Sequence, residues 1–353
     1  MEIIPLKQHS SSAILAEWNN FLLSTTESNF FCTTDYWNIY KNAYLLIRRD
    51  ESDRIIAGVP FCFHSVSSFF KICRLESSVL VTDSLIDKQH QIKKQVFEEL
   101  ISYLKEKKTV YLFVSSKSRS NDLAVFNELN FNTSNCGTYN LDLEPDEAEI
   151  YKSFSKGHKS SIQKALKCGL DIKILEGKSA VPYISDYCKI QDSLFERKKE
   201  NFLSVYLKSE SLLGKILRSK YCKNYLALAY YNGQPAASAL LVSFNKTIFY
   251  YAGASDFSLT RQTQATNLLQ CEIIKFAKAT GFTQYDFGGA ELNVDPCSDM
   301  YGVYMFKKHF GGIYSGYDCG SLILNQRQYK LMKALGKYSN LRVFRGLVSI
   351  FKK

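Results

Sequence analysis

No run of about 18 apolar residues occurs in the 353-residue chain, so no segment reads as a helix that crosses a bilayer. The ten cysteines contain no C-x-x-C pair, and several, such as Cys62, Cys188 and Cys271, lie inside apolar or helical segments. Reduced core thiols in the cytoplasm are the expected account, and a disulfide framework is not expected at this length. Five histidines, His9, His64, His90, His158 and His309, show no metal-ligand spacing, and no structural metal is expected. The N-terminus has Glu2 where a secretory signal has basic residues, and Glu17 falls within its helical pattern, so no signal is expected there. No G-x-G-x-x-G follows a strand, which leaves a dinucleotide fold unsupported. Gly312-Ile-Tyr-Ser-Gly316 has the wrong spacing for a nucleophile elbow. In Gly157-His158-Lys159-Ser160 a histidine separates the glycine from the lysine and the earlier glycine of a phosphate loop is missing.

What is present is an ordinary globular composition, 46% hydrophobic and 22% charged, with a formal net charge of +11. That charge implies an anionic partner: a phosphate-bearing substrate, a nucleic acid or an acidic membrane surface. The length favours two domains of moderate size. The chain is organised around Gln284-Tyr285-Asp286-Phe287-Gly288-Gly289-Ala290 and the aromatic, lysine-bearing stretch 301–312. The first segment reads as a short strand ending at a glycine pair, with Asp286 on the face opposite Tyr285 and Phe287. A helical pattern over 266–280 feeds into it, with Gly281 placed as its C-terminal cap. An acid at a strand end, small residues beside it and a returning lysine can line a cleft; a buried aromatic strand with a solvated loop is the competing account.

The order of elements occurs twice. In the first half, helices are expected over 11–23 and 34–43, strands over 43–48, 54–63 and 69–81, a helix over 90–105, a strand over 110–114, a short helix over 123–129 and a closing strand over 136–143. In the second half, strands over 225–231 and 235–243 flank Asn232-Gly233, a hairpin signal. A strand over 247–252, the helix over 266–280 and the strand over 285–287 follow. Ala57-Gly58-Val59-Pro60 is similar to Asn232-Gly233-Gln234-Pro235, Tyr111-Leu-Phe113 to Tyr285-Asp-Phe287, and the Phe126–Phe131 segment to Phe306–Phe310. Two α/β (α+β) domains of one design are therefore expected, at 1–143 and 144–326. Between the halves an acidic stretch, 144–147, precedes the basic segment 151–168, where Ser160 or Ser161 can start a helix and Gly169 can end it. Helical patterns also cover 180–199 and 204–219. The tail 327–353 carries eight lysines and arginines and no acid. Its leucines and aromatics recur at helical spacing. It reads as a basic amphipathic segment for an anionic membrane surface, or as a terminal helix packed on its own domain.

Tyr285-Asp-Phe-Gly-Gly289 with Phe306-Lys307-Lys308-His309-Phe310-Gly311 resembles the signature of the FemAB-like transferases. Lys159-Ser-Ser-Ile-Gln-Lys-Ala-Leu-Lys-Cys-Gly169 and Thr138-Tyr-Asn-Leu-Asp-Leu143 are similar to family segments as well. The resemblance spans roughly residues 25–320. It implies two tandem domains of the acetyltransferase (GNAT) fold and an N-acyltransferase acting on an amine of a cell-envelope precursor, peptidoglycan or polysaccharide. The donor it implies is aminoacyl-tRNA or acyl-CoA, with no bound cofactor. Implied partners are a nucleotide- or lipid-linked precursor, with contact at the cytoplasmic membrane surface for a cytoplasmic protein. Two departures bear on this. The region 200–224 is too short for the helical arm of one branch, and Arg261-Gln-Thr-Gln-Ala-Thr266 lacks the glycines with which acetyltransferases approach a pyrophosphate. The second departure disfavours acyl-CoA.

On this basis Lys307 is the candidate for oxyanion stabilisation. Asp286 either orients and deprotonates the attacking amine or satisfies amides of the glycine turn. Lys156, His158 and Lys159 are candidates for a diphosphate clamp at a helix start, the alternative being a solvated basic helix. Tyr251, Arg261, Tyr285, Tyr304 and Phe306 are the remaining substrate-binding candidates. A member that binds precursor without catalysis stands as a further alternative.

Overall fold

The computed structural model describes residues 2–6, 12–66, 69–117, 122–198, 210–290, 294–298 and 300–338. In chain order the first half holds β1 (Glu2–Pro5), α1 (Ser12–Leu22), α2 (Thr34–Trp37), β2 (Ala43–Arg49), β3 (Ile55–Ser65), β4 (Lys71–Leu75), β5 (Leu80–Val81), α3 (Gln89–Glu106), β6 (Tyr111–Ser115), α4 (Leu123–Glu128) and β7 (Asn132–Asp142). The second half holds α5 (Glu147–Ser153), α6 (Lys156–Leu166), β8 (Asp171–Glu176), α7 (Ile184–Lys198), α8 (Glu210–Leu217), β9 (Tyr225–Tyr231), β10 (Gln234–Phe244), β11 (Thr247–Ser255), α9 (Phe257–Thr263), α10 (Ala265–Ala279), β12 (Gln284–Ala290), α11 (Tyr301–Lys308), β13 (Ile313–Ile323) and α12 (Gln326–Tyr338). The expected second helix over 34–43 is only α2: its cap is Thr33, whose hydroxyl accepts from the Tyr36 amide, and the chain enters β2 at Ala43.

The molecule has two compact units, residues 1–136 with 316–353, and residues 137–315. This differs from a boundary at 143/144, and the reason lies in the strands that close each sheet. In the first unit the antiparallel run β1-β2-β3-β4 continues through β6, parallel to β4, and ends with β13, whose Cys319–Ile323 segment pairs with Tyr111–Ser115. In the second unit β8-β9-β10-β11 is antiparallel, β12 is parallel to β11, and the sheet is completed by β7 through Gly137–Asp142. Each half of the sequence thus supplies the last strand of the other half's sheet. Residues 327–338 belong to the first unit, while residues 339–353 of the expected basic tail lie outside the described residues.

The repeat is real at the level of topology. Tyr111 pairs with Ile72 and Tyr285 with Ile248, each on the strand that follows the long helix and runs parallel to its neighbour. The Gly58–Gly233 correspondence is out of register: Asn232 and Gly233 form the β9–β10 turn, both at positive φ, whereas Gly58 sits inside β3. Local identity at a glycine does not distinguish a turn from a strand position where a neighbour approaches closely. Gly58 is the second kind, for a Cβ there would lie 2.5 Å from the Leu46 carbonyl oxygen.

In the first unit the helix α3 lays Val96, Phe97, Leu100 and Leu104 onto Ala57, Val59, Phe61 and Leu112 of the sheet. In the second, α10 buries Leu268, Leu269, Ile273 and Ile274 against the alanine-rich inner faces of β9 and β10. Small residues such as Ala227, Ala229, Ala237 and Ala239 let the helix approach closely, and the large side chains come from α10, Tyr285, Phe287 and Phe310.

Candidate functional site

The candidate site is built on β12, which cannot remain a regular strand. Gln284, Tyr285 and Asp286 pair in register with Asp142, Leu141 and Asn140 of β7, and the register then shifts so that Gly289 faces Thr138. Phe287 and Gly288 on β12 thus oppose Tyr139 alone on β7, the two-against-one count of a β-bulge. Gly288 supplies the bend at φ +72, and a Cβ there would lie 2.8 Å from the Tyr250 carbonyl oxygen. No other residue type fits without strain. The neighbouring strand β11 bulges as well, between the Ala252 and Tyr250 pairings, so that Tyr251 is the extra residue.

The bulge turns the carbonyls of Gly288 and Gly289 toward α11. The Lys307 ammonium donates to Gly288 O at 3.1 Å and Gly289 O at 2.8 Å. Lys307 is only 8% exposed, so its cation is largely withdrawn from water and its field is screened weakly. Asp286, also 8% exposed, accepts through Oδ1 from the Gly288 amide at 2.7 Å and from the Thr138 hydroxyl at 2.5 Å. The sequence left two roles open for Asp286, and this geometry supplies the amide-satisfying one. Thr138, whose hydroxyl also lies 2.9 Å from Gly288 O, was not singled out from sequence. Its only signal was its place in a segment carrying the family resemblance.

Two devices hold α11 in place. Phe310 at its end is fully buried against Phe154 and Phe287, and burying a phenylalanine stabilises by about 1.5–3 kcal/mol. His158 on α6 donates from Nε2 to Phe306 O at 3.1 Å and packs on the Phe310 ring at 4.4 Å. Burial holds the His158 imidazole below its usual range, the neighbouring His309 adding to the effect, so the ring is neutral at pH 7. That corrects the clamp expectation for His158: a neutral donor tied to α11 brings no charge to a diphosphate. Lys159 donates to Lys152 O at 2.8 Å, and Lys156 is exposed at the helix start. Nothing in the geometry gathers the three around an anion. The helix starts at Lys156 and not at Ser160 or Ser161, because the Ser155 hydroxyl caps the His158 amide.

The depressed His158 value carries a pH prediction. The unfolded chain binds the proton more readily, so His158 contributes stability that is present above about pH 6.5 and is lost as pH falls through the lower folded value. Thermal unfolding of the wild type against His158→Gln, which keeps a donor for Phe306 O, is expected to show a smaller drop in Tm between pH 7.5 and 5 for the variant. Equal drops would remove His158 as a contributor.

Of the other candidates, Tyr285 is fully buried, its hydroxyl accepting from Gln270 Nε2. It is core and cannot line a groove. Tyr304 is buried against Tyr139, and its hydroxyl accepts from Lys308 at 3.3 Å. Phe306 and Tyr251 are half-buried, and Arg261 is exposed on α9. The α10 start bears on acyl-CoA: Gln264 is left-handed, at φ 58, and its carbonyl accepts from the Asn267 and Leu268 amides. Those two amides are already satisfied, which leaves a poorer pyrophosphate cradle. Among the described residues there is no cluster of three His, Cys, Asp or Glu that could hold a metal ion.

Residues 217–337 match the FemAB family. Curated relatives include the lipid II:glycine glycyltransferases of Staphylococcus haemolyticus, 35% identical over 104 residues, 29% of this chain and 24% of theirs, and of Staphylococcus aureus, 34% identical over 99 residues, 28% and 23%. The chain therefore spans about a quarter of the length of the curated relatives it matches. Among solved structures, FemX superposes with a TM-score of 0.70 at 16% identity, covering 94% of this chain and 99% of that one. A tandem GNAT protein from the clavulanic acid pathway gives 0.58 at 11% identity, covering 92% and 98%. At these identities the structural likeness shows the fold, a GNAT-like one, in agreement with the expectation from sequence.

Proposed function

Because this chain is FemAB-like, we propose that it is an N-acyltransferase that moves an aminoacyl group from aminoacyl-tRNA to an amine of a lipid- or nucleotide-linked peptidoglycan precursor. The observation that carries the proposal is the buried Lys307 ammonium fixed on the bulge carbonyls. In the proposed step the acceptor amine attacks the ester carbonyl carbon. The carbonyl π electrons move onto oxygen, and the Lys307 charge stabilises the oxyanion. Collapse forms the amide, breaks the ester C–O bond, and the amine proton leaves with the ribose hydroxyl of the tRNA. The enzyme acts as a cytoplasmic protein that meets its acceptor at the membrane surface. The chain's net charge of +11 suits a tRNA donor, and the occupied amides at the α10 start disfavour acyl-CoA.

Asp286 is a positioning residue in this reading: it holds the bulge that presents the two carbonyls to Lys307. Asparagine keeps an oxygen for the Gly288 amide and Thr138 hydroxyl, so Asp286→Asn is expected to retain transfer within about tenfold. Asp286→Ala leaves that amide unpaired, costing about 1–3 kcal/mol of stability, and lowers transfer with it. If Asp286→Asn instead loses more than about 10²-fold with Tm unchanged, the residue is a general base.

Filter binding of a mixed charged tRNA pool against uncharged tRNA, across a salt series, tests the donor. Preference for charged tRNA that persists at moderate salt supports the reading. Equal binding that collapses steeply with salt is the nonspecific pull of a basic surface on phosphates, and the tRNA donor is then abandoned for acyl-CoA.

A further inference from the structure

We propose that the face of the first unit carrying α12 docks on an anionic lipid bilayer. One side of α12 is already committed to the protein. Met332 is buried among Val66, Phe70, Ile72 and Val110, and the Tyr329 ring stacks on Tyr111 at 5.6 Å. Two other positions on the helix are apolar and unburied: Leu331 is 54% exposed and Leu335, one turn on, 45%. Phe69, the chain neighbour of the buried Phe70, is 82% exposed.

The charge on α12 itself has one sign. Arg327, Lys330 and Lys333 are exposed on the same helix, and the Lys333 ammonium lies 5.2 Å from the centre of the Tyr329 ring. At the start of β4, whose Ile72 packs in the Met332 cluster, Lys71 donates to Lys107 O at 3.3 Å, while Lys71 O accepts from the Val110 amide. No aspartate or glutamate follows Asp318 in the sequence. A globular partner that covered Leu331 and Leu335 would have to desolvate the surrounding cations. A bilayer surface does not require this: the apolar tips enter the acyl boundary while the ammonium groups stay with the lipid phosphates. Such docking suits a lipid-linked acceptor but does not depend on one.

Any basic protein is drawn to acidic vesicles at low salt, so the decisive variant is neutral. Co-sedimentation would use vesicles of phosphatidylglycerol and phosphatidylcholine in equal parts, containing no precursor, so the outcome is independent of the proposed activity. The full chain is expected to pellet with these vesicles at physiological salt and not with phosphatidylcholine alone. Leu331→Ser with Leu335→Ser, at unchanged Tm because both side chains are exposed, is expected to lower the partition coefficient about tenfold or more. Lys330→Gln with Lys333→Gln is expected to lower it and to flatten its salt dependence. The proposal is overturned if the full chain stays in the supernatant, if it binds phosphatidylcholine equally well, or if the double serine variant binds like the wild type.

Discussion

Lys307→Met is expected to lower kcat/KM for transfer by about 10²–10³-fold, the loss seen when one donor to a developing oxyanion is removed. Methionine preserves most of the buried stem, so Phe306 and Phe310 keep α11 seated. The stability change is expected to be small because two effects oppose. The carbonyls of Gly288 and Gly289 lose the ammonium as a donor, but a buried cation no longer has to be desolvated. A large kinetic loss at nearly constant Tm is therefore the signature of a catalytic lysine. Steady-state transfer and thermal melts of the same preparation separate the cases. A loss below about threefold would leave less than about 1 kcal/mol to the residue, and the role would be given up.

Gly288→Ala is expected to affect both stability and transfer. The residue sits at φ +72, and the new Cβ would meet the Tyr250 carbonyl oxygen at 2.8 Å, a backbone atom that cannot rotate away. The strain costs about 1–3 kcal/mol. Relief of the clash shifts the bulge, and displacing a reacting group by about 1 Å can cost about 10²-fold in rate. Gly302→Ala is the control on the helix that carries Lys307. Its Cβ would meet nothing within 4 Å, and alanine in a helix is favoured over glycine by about 1 kcal/mol. Raised Tm with unchanged transfer is expected there. Equal kinetics for the two variants would detach the bulge from the chemistry.

Much of this architecture was readable from local pattern. The α10–β12 junction, the Gly281 cap at φ +86 and the Asn232-Gly233 turn follow from periodicity and from residues that tolerate positive φ. The exchange of β7 and β13 between the two sheets was not readable, since strand pairing is nonlocal. The duplicated halves differ at the site in a way that pairwise comparison makes plain. Leu112 stands in β6 where Asp286 stands in β12, and Asn127 follows Phe126 where Lys307 follows Phe306. The β6–β13 ladder is also unbroken from Tyr111 to Ser115, where the β12–β7 ladder bulges. At these matched positions the acid, the bulge and the lysine therefore stand together in the second unit and not in the first. The setting of His158 was not legible in the cation-rich segment Lys156-Gly-His-Lys159, because its packing on Phe310 depends on a residue 152 positions later in the chain. Thr138 was missed for the same reason: its partner Asp286 comes from the other half of the sequence.

The most direct test of the central claim is single-turnover transfer, with enzyme in excess over tRNA charged with a radiolabelled amino acid and a lipid-linked peptidoglycan precursor as acceptor. Wild-type protein is expected to move label from tRNA into the lipid extract, and Lys307→Met to do so at least about 10²-fold more slowly. Label that stays on tRNA while an acyl-CoA donor yields product, or equal rates for the two proteins, would contradict it.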